Sequence, residues 1–231
     1  MKKVAILQSS YLPWKGYFDL INSVDEFVIY DCRQYTKRDW RNKNYIKSPS
    51  GKQRLTVPVK TKGKYYQKIS EVELHDEEWR EKHWSSFFLN YKKCSFFEEV
   101  AGIIKPSYFE ENHKYLSTLN RSLIVKICNY LNIKTQITSS TDYQICDGKT
   151  ERLVGICTQA GASTYFSPPA SKNYIKEELF EEKNISLKWM DYNDYPEYPQ
   201  KWGDFIHDVS ILDLLFTLGP KSIQYIKRKN K

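Results

Sequence analysis

Two short apolar segments near the start of the chain constrain the fold most: Val4 to Leu7 is an unbroken apolar run, and Phe27 to Tyr30 is a second, β-branched and aromatic. A run with no polar alternation fits a strand buried on both faces, the environment of a parallel sheet. Between them lies the turn-rich Ser9-Ser10-Tyr11-Leu12-Pro13, then Gly16 to Ser23 with Tyr17, Leu20 and Ile21 at helical spacing. Strand, loop, helix and strand within about thirty residues make a βαβ unit with a right-handed crossover. Ligands of open parallel sheets bind outside the carboxyl ends of the strands. Residues 8–17 and 31–44 both leave such ends.

The alternation resumes in the second half: a strand near Thr135 to Thr138, a helix from Thr150 to Gln159, a strand at Thr164 to Phe166, a helix from Ser171 to Glu182 and a strand at Ser186 to Met190. Between the halves, residues 76–92 and 112–132 read as amphipathic helices with Asp76 and Asn112 as N-caps. With the stretch from Phe96 to Ile104 they form a helical insertion at about 76–132, either a lid or a packed layer. Ser48 to Gly51 is a turn, and Arg54 to Val59 alternates as an antiparallel strand or hairpin interrupted at Pro58. Val209 to Leu218 and Lys221 to Lys227 read as helical, broken by Gly219-Pro220, and Lys227 to Lys231 as a solvated tail. The expected fold class is α/β: a Rossmann-like, mostly parallel sheet flanked by helices, with a helical insertion. A chain of 231 residues, 40% hydrophobic, fits one such domain over 1–231, because single cores stop growing at roughly 250–300 residues.

The net charge of +8, from 36 Lys and Arg against 28 Asp and Glu, favours an anionic partner, phosphate first. An AT-rich genome, which enriches Lys, Asn, Ile and Tyr, would give the same excess with no nucleic-acid role. The five cysteines, Cys32, Cys94, Cys128, Cys146 and Cys157, are odd in number and lack metal-type spacing, so they read as reduced intracellular thiols. The apolar run before Gln8 is too short for a secretory signal, and no stretch approaches the ~20 apolar residues of a membrane span. A cytoplasmic location is expected.

The loop from Gln8 to Tyr17 packs polar and aromatic groups directly after a buried strand, with Gln8, Tyr11, Trp14, Lys15, Gly16 and Tyr17 as ligand candidates. Gly16 would allow close backbone approach, and free N–H groups at the helix start would take an anion. The competing reading is a structural elbow in which Trp14 and Tyr17 only pack. In the segment from Asp31 to Asn44, seven of fourteen side chains are charged, with aromatics and amides interleaved. Gln34, Tyr35, Lys37, Arg38, Trp40, Asn42 and Asn44 together suit a polar, phosphorylated ligand, since Arg offers a planar fork and the amides serve a sugar or base. A solvated charge run is the alternative, but Tyr35 and Trp40 have little reason to sit on one. Lys149 and Arg152 open the later helix as a second phosphate contact or as surface charge, and Tyr165 and Ser167 bracket the next strand end. Among the histidines, His83 shares a helical face with Trp79, Phe87 and Tyr91. It is a satisfied core histidine by default, yet also the best general-base candidate. No nucleophile triad, metal-ligand spacing or Walker loop is present.

The strings Gln34 to Asn42, Gly161 to Ser167, Tyr198-Pro199-Gln200 and Ser210 to Phe216, with the strand-loop-helix at Val4 to Ile21, resemble WbqC-like proteins almost end to end. The resemblance implies a setting in bacterial O-antigen and related surface-polysaccharide assembly, with transfer of glycine or a similar acyl group to an amino sugar. Ser9 and Ser10 stand where Pro-Asn is usual, and Cys32 where a second acid is common, which leaves Asp31 alone for any paired-carboxylate role. A second resemblance is to HUP-type adenylyl-transfer domains, where H-x-G-H lies over nucleotide phosphates. Trp14-Lys15-Gly16-Tyr17 stands there without either histidine, implying an anion pocket without that chemistry or with Lys15 replacing lost charge.

The expected partners are therefore a nucleotide-linked amino sugar and an acyl or aminoacyl donor. Lys37, Arg38 and the loop from Tyr11 to Gly16 would hold phosphates, Trp14 or Tyr35 would stack on the base, and Asp31 or His83 would take the proton from the attacking amine. A non-catalytic nucleotide-sugar binding or scaffold protein is the first alternative. A nucleic-acid binder ranks third, because cations gathered in one loop fit a compact phosphate better than a tracked backbone. No cofactor, metal or oligomeric state is assigned.

Overall fold

The computed structural model describes residues 1–226; the expected tail, and Lys227 at the end of the last expected helix, lie outside the described residues. The first βαβ unit forms as β1 (Lys3–Leu7), α1 (Lys15–Asn22) and β2 (Glu26–Ile29). A hairpin follows, β3 (Lys43–Ser48) and β4 (Gly51–Thr56), then α2 (Glu78–Tyr91), α3 (Phe97–Phe109) and α4 (Leu116–Tyr130). The chain returns with β5 (Gln136–Ser139), α5 (Thr150–Gln159), β6 (Thr164–Ser167), α6 (Glu178–Glu181) and β7 (Ser186–Trp189), and α7 (Ile211–Leu218) closes the series.

Five strands make one sheet in the order β5-β2-β1-β6-β7, every pairing parallel. Winding runs outward from β1 through β2 to β5, then crosses back to the other side of β1 for β6 and β7. The strand order therefore reverses between β1 and β6, which opens a crevice at their carboxyl ends. Alternation of side chains in a strand divides the core into two layers. Ala5, Phe27 and Ile29 face the layer built from α1, α2, α3, α4 and α7. Val4, Ile6, Val28 and Tyr30 face the layer built from α5 and Phe180 of α6. The helical insertion is thus a packed layer that shares one core with the sheet and α1.

Four expectations are corrected. Helix over 171–182 gives way to a short 3-10 turn at Pro169–Asn173 and the single turn of α6. The hydroxyl of Thr150 donates to the Tyr174 carbonyl and accepts from the Lys176 N–H, both at 3.2 Å, and these tertiary bonds draw the backbone out of a helical path. The strand expected at 54–59 ends at Thr56, and its partner β3 takes in Lys43 and Asn44, the last two residues of the charged segment from Asp31 to Asn44. Asp76 and Asn112 cap nothing: α2 and α4 begin after Glu77 and Tyr115, without side-chain caps. The stretch after Gly219 is a 3-10 turn, Gly219–Gln224, where Pro220 removes a donor.

The segment leaving β2 is stitched to a second stretch of chain. Ser70 N–H donates to the Asp31 carbonyl, Ile69 N–H to the Arg33 carbonyl and Tyr35 N–H to the Gln67 carbonyl, at 3.0, 2.8 and 2.9 Å. Gln34 pairs with Lys68 in the same ladder.

Candidate functional site

The two loops that leave β1 and β2 meet first through buried polar contacts. The Asp31 carboxylate, 5% exposed, accepts from the Ser9 N–H at 2.8 Å and the Ser9 hydroxyl at 2.7 Å. Arg41 donates to the Ser9 carbonyl at 3.0 Å, and Asn120 donates to the Arg41 carbonyl at 2.9 Å and to Ser9 Oγ at 3.2 Å. Burial raises the Asp31 pKa above its ordinary value, with the Ser9 bonds and then Arg41 opposing. Asp31, expected as a general base, is instead a brace between two strand ends with both oxygens engaged.

His83 is also turned inward. Its ring is 5% exposed and packs on Trp79 and Tyr11 at centroid distances of 5.2 and 5.6 Å. Nδ1 bonds the Tyr11 hydroxyl at 2.8 Å, and that hydroxyl bonds Tyr108 in turn. Burial pushes the imidazole down to about 4, the Thr56 backbone opposing in part. The reading of His83 as a proton acceptor for substrate is corrected: it is the satisfied core histidine.

Most of the loop from Gln8 to Tyr17 is interior. Tyr11 is fully buried, and the Tyr17 hydroxyl donates to the Gln8 carbonyl at 3.1 Å. Trp14 packs edge-on against Tyr192 and Tyr195 at 5.3 and 5.8 Å. A Cβ on Gly16 would lie 2.3 Å from the Trp14 ring, so glycine is required there for a side chain of the protein and not for a ligand. Lys15 donates to the Pro196 carbonyl at 3.1 Å and sits over the Tyr195, Tyr198 and Phe205 rings. Burial lowers its pKa to about 8 against the pull of Glu197 and Asp213. Of this loop Gln8 lines a cavity, while Trp14 and Tyr17 pack against the protein itself.

That cavity, about 270 Å³, lies at the carboxyl ends of β1, β2 and β6, beside the reversal of strand order. Gln8 comes from the end of β1, Tyr30 and Arg33 from the end of β2, Lys149 from the start of α5, Tyr165 from β6 and Tyr174 from the turn after it. Among the described residues Arg33 and Lys149 form no ion pair; the Arg33 guanidinium lies 6.0 Å from the centre of the Tyr30 ring. Burial, with Cys32 next, pushes the Tyr30 phenol up to about 12, so Tyr30 stays a hydroxyl donor near neutral pH. Two cations, an amide and phenols around a small cavity suit a phosphorylated ligand. Tyr165, Gln8 and Lys149 were legible as candidates. Arg33, Tyr30 and Tyr174 were not singled out, although Arg33 follows the end of β2 closely and position alone would have found it.

The remaining candidates lie elsewhere. Arg152 donates to the Cys146 carbonyl at 2.7 Å and sits 3.5 Å from Asp147. Ser167 is buried at the end of β6 and does not line the cavity. Gln34 donates to the Tyr65 carbonyl at 3.0 Å. Asn44 donates to the Leu12 carbonyl at 2.6 Å, fastening the first loop to the hairpin. Trp40 is half exposed, edge-on to Tyr45 at 6.2 Å with the Lys43 ammonium 5.6 Å from its ring. Tyr35, Lys37, Arg38 and Asn42 line a second, wider cavity of about 620 Å³ that shares no residue with the first. Lys37 and Arg38, expected to hold phosphates together with the loop from Tyr11 to Gly16, therefore line a cavity whose lining includes no residue of that loop.

Among the described residues no helix is long and apolar enough to cross a membrane. A family model described as the WbqC-like protein family matches residues 8–225. The uncharacterized protein Rv1507c of Mycobacterium tuberculosis is 50% identical over 227 residues, 98% of this chain and 98% of that one. No solved structure matches.

Proposed function

Because this chain belongs to the WbqC-like protein family, we propose that it is a cytoplasmic enzyme of surface-polysaccharide assembly that binds a nucleotide-linked amino sugar and transfers an acyl or aminoacyl group to its amine. The observation that carries the binding half is the convergence of Arg33 and Lys149, neither ion-paired among the described residues, on the cavity beside the strand-order reversal. In this reading the two cations hold the diphosphate, and Arg33 provides the bidentate fork. Tyr30 and Tyr174 border the base or sugar ring, and Gln8 reads its polar edge. The transfer half rests on family membership. The amine must be neutral when it attacks the acyl carbon.

The cavity lining contains no carboxylate or imidazole, and that observation favours a second reading, a binding protein that presents the sugar without turning it over. Calorimetric titration with UDP- and dTDP-linked amino sugars tests the site. Arg33→Ala and Lys149→Ala should each weaken binding about tenfold, the loss of one charge-assisted contact, and Arg33→Lys should rescue only in part. Equal affinities in all four proteins would sink the proposed site. Mass analysis of the sugar after incubation with acyl and aminoacyl donors separates the two readings: a gain on the amino sugar, absent from its hydroxyl analogue, supports transfer, and tight binding without any gain supports presentation.

A further inference from the structure

The second cavity brings together four cations from three segments: Lys37 and Arg38 from the loop after β2, Lys43 from β3 and Arg54 from β4. Among the described residues none of the four forms an ion pair. One carboxylate faces them: Asp76 lines the same cavity, where it bonds His75 Nδ1 at 3.0 Å. Asp39 takes the Thr36 hydroxyl at 2.8 Å and the Trp40 N–H at 2.6 Å and lies 3.6 Å from Arg41, so the four cations outnumber the acid they face. Some other exposed lysines of this chain find carboxylates, as Lys60 finds Glu73 at 2.9 Å and Lys82 finds Glu78 at 3.0 Å. Like charges around one hollow repel unless an anion sits among them. Arg38 also holds a φ of +62°, a left-handed conformation that is unfavourable for a bulky side chain and that collects where ligands are gripped.

We propose that this cavity is a second, separate anion site that binds a compact polyphosphate-bearing ligand; it rests on the reading above only in calling that ligand the group donor. Four cations from three segments around one cavity of about 620 Å³ match two or more phosphates better than one. The hydroxyls of Thr56 and Thr61 add donors, and Pro58 and Val59 supply an apolar floor for whatever the phosphates carry. Their convergence on one hollow favours a compact ligand over a nucleic-acid strand.

Calorimetry on the whole chain with inorganic tripolyphosphate at fixed salt tests this. In an Arg33→Ala background, which removes the forked cation of the other cavity, the chain should still bind it, and adding Arg54→Ala or Arg38→Ala should each weaken it about tenfold. Equal affinity with and without Arg54→Ala in that background would overturn the second site. A single-stranded oligonucleotide that binds tighter than tripolyphosphate, with a salt dependence growing with its length, would overturn the compact ligand. Arg54-dependent binding of tripolyphosphate in a protein that ignores the UDP-sugar would leave this site standing and remove the sugar site.

Discussion

A proton on His83 would put a charge among Tyr11, Trp79 and the buried hydroxyl chain, and the fold resists this by holding the imidazole down to about 4. The unfolded chain resists nothing and takes the proton near 6.5. Above that pH both states are neutral and His83 has no effect. As the pH falls from about 6.5 to about 4, the unfolded state binds the proton first and stability drops, by about 3 kcal/mol at most. Asp31, with its pKa raised, acts with the opposite sign: the folded state takes its proton first, which offsets part of the loss just above the ordinary carboxylate range. Urea denaturation from pH 7 to pH 4.5 should show the decline in wild type and a flatter profile in His83→Gln; parallel profiles would assign it elsewhere. Residue type marked His83, Asp31 and Lys15 as chemistry from sequence. What it left out was partnership: a buried polar group is normally satisfied, and the partners Tyr11, Ser9 and Pro196 are visible only once the chain has folded. Gln8, Lys149 and Tyr165 were legible because position at a strand's carboxyl end or a helix start needs no knowledge of partners.

Between elements, the strongest single tie is the buried carboxylate of Asp213 on α7. It accepts from Tyr91 of α2 at 2.8 Å, Tyr198 at 2.6 Å and Gln200 at 2.8 Å, while the Tyr91 oxygen accepts the Lys47 N–H of β3 at 2.9 Å. One residue thus joins α7, α2, the hairpin and the segment before α7. Asp213→Ala would leave three donors without their acceptor and should cost about 3–5 kcal/mol, read as a lower denaturation midpoint with an unchanged slope. Stability within about 0.5 kcal/mol of wild type would mean that water replaces the carboxylate at no loss. The elements themselves were legible where local pattern and burial agree. The apolar runs of β1 and β2 and the helix over 150–159 stand at or near their expected places. Recognition failed where tertiary bonds outweigh propensity, as for the helix expected at 171–182 against Thr150. It failed again at β3, which begins in Lys43 and Asn44, the end of the segment read as a ligand loop, with Lys43, Tyr45 and Lys47 sharing one face of the hairpin.

For the molecule as a whole, the charge excess of +8 is partly gathered into two cavities with no common lining residue. Ligands at separate sites should stabilise additively. Each, at about a hundred times its dissociation constant, contributes about 2.7 kcal/mol, or a rise in melting temperature of about 5–10 °C for a chain of this size. Melting with the sugar nucleotide, with tripolyphosphate and with both should give two separate shifts and their sum. A combined shift no larger than either alone would mean one site. Arg33 faces one cavity and Lys37 the other, and the stretch between them is the one whose backbone pairs with residues 67–69. A strand tied down in that way behaves as a fixed caliper. Two bound groups would be held at one set span, and a single molecule carrying both anions on a tether of that length would gain effective concentration that a shorter or longer tether forfeits.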